Sequence, residues 1–151
     1  MSKSMMFIVV FFVLGLGLFI WNGTGPVDRP GHTMTTPDLS RVDAGAPIVE
    51  VALPAELSAN AEIGKLAFEA KCAACHGANA AGQNGVAPPL VHKIYEPSHH
   101  SDMAFVMAVQ NGVRSHHWSF GNMPQIERLT QGDVMMIAAY VRELQRANGI
   151  N

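Results

Sequence analysis

Cysteine is almost missing from this sequence: Cys72 and Cys75 are the only two, and no second pair accompanies them. A structural zinc site needs four nitrogen or sulfur ligands, usually from two such pairs, so that use of a Cys-x-x-Cys spacing is excluded. Strand-helix-strand alternation is also lacking around them, which removes the setting of a thioredoxin-like redox pair. Charge is scarce as well. Only 15% of residues are charged, with 10 Lys or Arg against 12 Asp or Glu, so the chain carries no basic field for nucleic acid. From Ser58 onward the balance is even, seven of each sign, and long-range steering of a charged partner is weak.

What is present begins with Cys72-Ala73-Ala74-Cys75-His76. Two thiols three positions apart, followed at once by an imidazole, form the attachment and ligation unit of a c-type haem. The thiols become thioethers to the porphyrin vinyl groups. One helical turn then leaves His76 under the iron as proximal ligand, and thioether use removes the disulfide that two free cysteines in an oxidising compartment would invite.

Ahead of this unit, Met5 to Trp21 is an unbroken run of 17 apolar or glycine residues behind Lys3. As a helix it would reach ~25 Å, the short end of membrane-spanning length. It is longer than a typical signal core, and Asn22-Gly23-Thr24-Gly25-Pro26 is not a small-residue cleavage site, so residues 1–21 are expected to be a retained, single-pass anchor touching lipid through residues 5–21. Residues 22–57 follow with Pro26, Pro30, Pro37, Pro47 and Pro54, four glycines and no sustained apolar period, the composition of a linker. Within it, Ile48 to Leu53 is apolar enough to pack along a domain as an extended arm.

The haem domain is expected over residues 58–151. Ser58 caps a first helix with Ile63, Leu66, Ala67 and Ala70 at helical spacing and Gly64 in its middle, where a glycine suggests that another backbone or ring comes close. Ser101 or Asp102 starts a second helix ending at Asn111-Gly112. Thr130-x-x-Asp133 is a capping box for a last helix with the stripe Val134, Ile137, Ala138, Val141 and Leu144, with Arg142 and Arg146 near its end as cations facing the helix dipole.

Taken together, Gly64 and Phe68, Cys72 to His76, Pro88-Pro89-Leu90, Met123-Pro124 and a last helix with Tyr140 resemble a class I c-type cytochrome, monohaem and of the membrane-anchored bacterial type, over roughly residues 58–148. The resemblance implies an all-α, cytochrome c-like fold: three main helices around one covalently attached haem c, preceded here by the transmembrane helix and linker. It implies that Gly64 crosses Tyr140 where the first and last helices meet, and that Pro88 offers its carbonyl to the other ring nitrogen of His76. It also implies Met123 as the sixth ligand, making His76 and Met123 the metal ligands and Cys72, Cys75, His76, Pro88 and Met123 the haem-binding residues. Met103, Met107, Met135 and Met136 lie on helices, where methionine is more often packing.

Five further histidines, His92, His99, His100, His116 and His117, lie between the proximal ligand and the last helix. Imidazole with nearby thioether would suit copper, although nothing in the spacing brings them together. The function expected is one-electron transfer, not enzymatic catalysis, between membrane redox complexes serving as donor and acceptor. The alternative is a fixed haem subunit of a larger membrane oxidoreductase. Haem attachment in bacteria takes place outside the cytoplasm, so the haem domain is expected on the periplasmic side of the inner membrane.

Overall fold

The computed structural model describes residues 3–24 and 35–151. They fall into two compact units, Met1–Gly31 and His32–Asn151. In the first, helix α1 runs Lys3–Thr24, 22 residues. Every side chain described in it, at positions 5–7 and 11–18, is exposed. Among the described residues no helix is long and apolar enough to cross a membrane. The helix expected at residues 1–21 therefore forms, but its transmembrane character is not supported. Residues 25–34, with Pro26 and Pro30, lie outside the described residues.

The second unit is all-helical, with no strand among the described residues and only two isolated bridges, Gln83 with Ala87 and Val113 with Met123. Its helices are α2 (Ala59–Lys71), the single turn α3 (Ala73–His76), α4 (Asp102–Asn111) and α5 (Gln131–Ala147). Ser58 caps α2, its Oγ accepting from the Ala61 N–H at 3.3 Å. The same Oγ donates to Glu143 of α5 at 2.6 Å, so the start of one helix is fastened to the end of another. At α5 the capping box closes both ways: Thr130 Oγ1 accepts from the Asp133 N–H at 3.2 Å, and the Asp133 carboxylate accepts from the Thr130 N–H at 2.8 Å. The Thr130 hydroxyl, donating to the same carboxylate at 2.7 Å, and then the Thr130 N–H hold the exposed Asp133 carboxyl below its ordinary range. Helix α4 stops at Gly112, whose φ of 70° a side chain would resist.

The core forms where α2 crosses α5. Ala61, Gly64 and Phe68 face Ile137, Tyr140, Val141 and Leu144. A Cβ on Gly64 would sit 1.8 Å from the Met136 carbonyl oxygen and 2.9 Å from the Ile137 nitrogen, so the two backbones touch at this residue. The atoms nearest Gly64 thus belong to the Met136–Ile137 peptide, in the turn that leads to Tyr140, its expected partner. Tyr140 packs on Phe68, ring centroids 5.7 Å apart. The phase of α2 differs from expectation. Ile63 and Leu66 are 56% and 69% exposed, because the close approach turns the face with Ala61 and Gly64 inward and carries Phe68 with it.

The compact unit reaches back into the expected linker. Asn84 Nδ2 donates to the Val42 carbonyl at 2.6 Å, the Ile48 and Val49 N–H groups both donate to the Ala81 carbonyl, and Ala52 and Asn148 exchange two bonds of 2.9 Å. With Val49 and Val51 packed on the core, residues 42–52 are an arm of the domain, and the boundary drawn at residue 58 falls inside a folded body.

Candidate functional site

Helix α2 delivers Cys72 as its C-cap, and the chain turns at once into α3, so Cys72, Cys75 and His76 sit on one tight turn. The carbonyls at the end of that turn are gathered by one side chain. Gln83 Nε2 lies 3.3, 2.9 and 3.2 Å from the Ala73, Ala74 and Cys75 oxygens. Nothing in the spacing pointed to Gln83. A long amide directly after the loop glycine Gly82 is the only signal it leaves.

The loop then folds back on itself. Gly82 N–H donates to the His76 carbonyl at 2.7 Å. A Cβ on Gly77 would meet the Gly82 oxygen at 2.6 Å, and one on Gly82 would meet the Pro89 nitrogen at 2.5 Å; both glycines hold φ near +73°. This glycine knot brings the Pro88 carbonyl to 2.9 Å from His76 Nδ1. An Nδ1–H donated to a carbonyl fixes the tautomer, leaving Nε2 with a lone pair for an iron. Burial lowers the His76 pKa, which the Pro88 bond partly opposes, so the ring is neutral near pH 7 as a ligand must be. Burial and the neighbouring Cys75 sulfur push the Cys72 thiol up to about 11.

Met123 lies on the loop between α4 and α5, pinned by a bridge in which it exchanges backbone bonds of 2.9 and 3.0 Å with Val113. It packs beside Val106, Val109 and Val134, partly buried. Met103 and Met107 are 47% and 52% exposed, so they are not the core filler that their helical spacing suggested. On the Met123 loop, Trp118 is buried, and its Nε1–H is the one buried side-chain polar atom among the described residues without a partner. It lies close enough to the Tyr95 hydroxyl to temper the rise that burial imposes there, yet forms no hydrogen bond.

Arg142 is the second residue the sequence hid. Instead of serving the helix dipole it is 6% exposed and acts as a hub. Its guanidinium donates to Asp102 at 2.8 Å, to the Tyr95 carbonyl at 2.7 Å, to Gln145 at 2.6 Å and to the His100 carbonyl, and it lies 5.1 Å from the Phe105 ring centre. The segment from Tyr95 to Asp102 is thereby tied to α5.

A tether of two thiols, a neutral imidazole with one free nitrogen and an enclosing set of helices define a protein that holds a covalent haem. The Cytochrome c family model matches residues 61–145, more than half of the chain, and the chain belongs to that family. No match is found among the curated proteins or the solved structures compared. The protein is accordingly a c-type cytochrome, an electron-transfer protein with covalently bound haem. Its residues fit that group: Cys72 and Cys75 are both free thiols, His76 keeps Nε2 available, and the unpartnered Trp118 Nε1–H is a donor of the kind a propionate oxygen satisfies.

Proposed function

We propose that this chain is a one-electron carrier with His76 and Met123 as axial ligands, Cys72 and Cys75 as thioether tethers and Pro88 as the orienting acceptor. The observation that carries the reading is the 2.9 Å contact between His76 Nδ1 and the Pro88 carbonyl, on the same turn as both thiols. It fixes which ring nitrogen faces the metal and raises its basicity. Bound haem supplies a single iron that changes oxidation state by one electron. The chain's part is to hold that iron's surroundings still. The glycine knot, Gln83 and the Val113–Met123 bridge fix the two ligand-bearing segments at the backbone, so little has to move when charge changes. Thioether ligation favours the reduced state and a high potential.

The carrier is tethered, in this reading, to the bacterial inner membrane through α1, with the haem domain on the periplasmic side and membrane redox complexes as donor and acceptor. Support comes from the apolar run Met5 to Trp21 and from the helix it forms, 22 residues or about 33 Å long. Confinement near the membrane would raise the effective concentration of partners that an evenly charged domain cannot steer toward itself. The same exposed face, with Phe7, Phe11 and Leu14 at 72%, 74% and 62%, also fits a helix packed among the helices of a larger oxidoreductase. Mild detergent extraction followed by a native gel stained for haem separates the two. A band at the mass of the single chain supports the free carrier, and a large stained complex that survives salt supports the fixed subunit.

A further inference from the structure

Four of the histidines that are scattered in sequence converge in the fold. His99 and His100 precede α4, His116 and His117 follow it, and their rings form one group with centroid separations from 4.3 to 6.4 Å. The Nε2 atoms of His99 and His117 face each other at 3.3 Å. A ligand nitrogen of His100 joins them, all three atoms lying within 4.8 Å of one another.

We propose that His99, His100 and His117 bind one zinc ion, with solvent at the fourth position, clamping the segment before α4 to the loop that carries Met123. Tetrahedral zinc with bonds of about 2.0–2.1 Å spaces its nitrogens about 3.3–3.4 Å apart, the separation already present between His99 and His117. A square-planar copper site would want adjacent nitrogens closer than 3 Å, about 2.8 Å from the same bond length. The donor set is pure imidazole, which suits zinc.

Three features make this a built site rather than a surface accident. His100 Nδ1 is 2.6 Å from the Ile94 carbonyl, so it carries the proton and directs Nε2 toward the cluster, the outer bond that ligand histidines commonly have. The backbone at His99 and His100 is held from both sides: their N–H groups donate to the Glu96 carbonyl at 3.0 and 2.8 Å, and Arg142 donates to the His100 carbonyl. Across the gap, Ser115 N–H donates to Asn122 at 2.9 Å and Ser115 Oγ to the Trp118 carbonyl, fixing the turn that presents His117.

The test uses the full, haem-loaded chain without a histidine tag, purified in detergent, stripped with chelator and titrated with zinc alone. One ion per chain is expected by calorimetry and metal analysis, with a zinc absorption-edge spectrum of three nitrogens at about 2.0 Å. The pair His99→Gln with His117→Gln should weaken binding beyond the roughly 10–100-fold that loss of an outer-shell partner costs, while His92→Gln leaves it unchanged. Zinc should also raise the unfolding temperature of the native chain and not of the double variant. No stoichiometric zinc, binding indifferent to the double substitution, or copper(II) taken up where zinc is refused would each overturn the proposal. So would a double variant whose haem turned high-spin, since those imidazoles would then belong to the haem iron; an unchanged low-spin haem spectrum keeps this test separate from the carrier reading.

Discussion

Replacing Gly64 with Ala sets two physical effects of opposite sign against each other at the helix crossing. Intrinsic propensity favours alanine in a helix interior by about 1 kcal/mol. The new methyl, however, would be built 1.8 Å from the Met136 oxygen and 2.4 Å from its carbonyl carbon. Carbon to oxygen contact requires roughly 3.3 Å or more, so α2 and α5 must separate by about 1.5 Å where they touch. The obstacle is backbone inside a regular helix and cannot rotate away. Overpacking of this kind costs typically 1–3 kcal/mol, and a forced separation also loosens Ala61, Phe68, Ile137 and Tyr140, each 3% exposed or less. A net loss of about 2–3 kcal/mol is expected. In a unit of this size that lowers the unfolding temperature by ~10 °C. Thermal unfolding of the holo-protein, followed in parallel by far-ultraviolet circular dichroism and haem absorption, measures it. A Gly64→Ala protein as stable as wild type, or more stable by the propensity difference, would refute the crossing geometry. Leu66→Ala, 69% exposed on the same helix, should change stability by less than about 0.5 kcal/mol.

Met123→Ala should open the reduced iron to carbon monoxide and lower the midpoint potential, whereas Met103→Ala and Met107→Ala, half-exposed, should leave both unchanged and cost little stability; a carbon-monoxide-resistant variant at the original potential would move the sixth ligand elsewhere. Arg142→Ala takes the donor from the buried Gln145 and from the part-buried His100 and Tyr95 carbonyls and should destabilise by roughly 3 kcal/mol in urea, while Arg146→Ala, its side chain 57% exposed, should stay within about 0.5; equal small effects would restore the helix-dipole reading for both. Burial lowers the pKa of His92 from its ordinary 6.5, so the unfolded chain takes up the proton first and stability is lost as pH falls through that value. His92→Gln should flatten the slope of unfolding free energy against pH as the pH falls through the ordinary 6.5 and below it, and an unaltered slope would show that the ring titrates alike in both states. Acidic acetone should leave the haem colour on the protein, because thioethers at Cys72 and Cys75 survive a solvent that extracts unattached haem.

The sequence by itself determined whatever depends on neighbours in the chain. Cys72 to His76 announces its chemistry because tether and ligand must share one helical turn. Ser58, Thr130 with Asp133, and Gly112 mark helix ends because caps act within a few residues. Periodicity was enough for the stripe of α5, where large apolar residues do the packing. It misled on α2, where the buried face is set by how closely another backbone comes and Gly64 and Ala61 outrank Ile63 and Leu66. Only the tertiary structure decided what depends on distant segments meeting. Arg142 reads as a surface cation until Tyr95, His100 and Asp102 are seen to converge on it from about 40 positions away. Residues 42–47 read as linker, and Ile48 to Leu53 as an arm without an address, until the N–H groups of Ile48, Val49 and Ala52 find Ala81 and Asn148. The histidines read as solvated loop residues until the turns on either side of α4 bring Nε2 of His99 to Nε2 of His117 across 18 positions. A ligand set assembled from two loops leaves no period in the sequence, since the spacing between its members is fixed by how α4 packs and not by any local repeat.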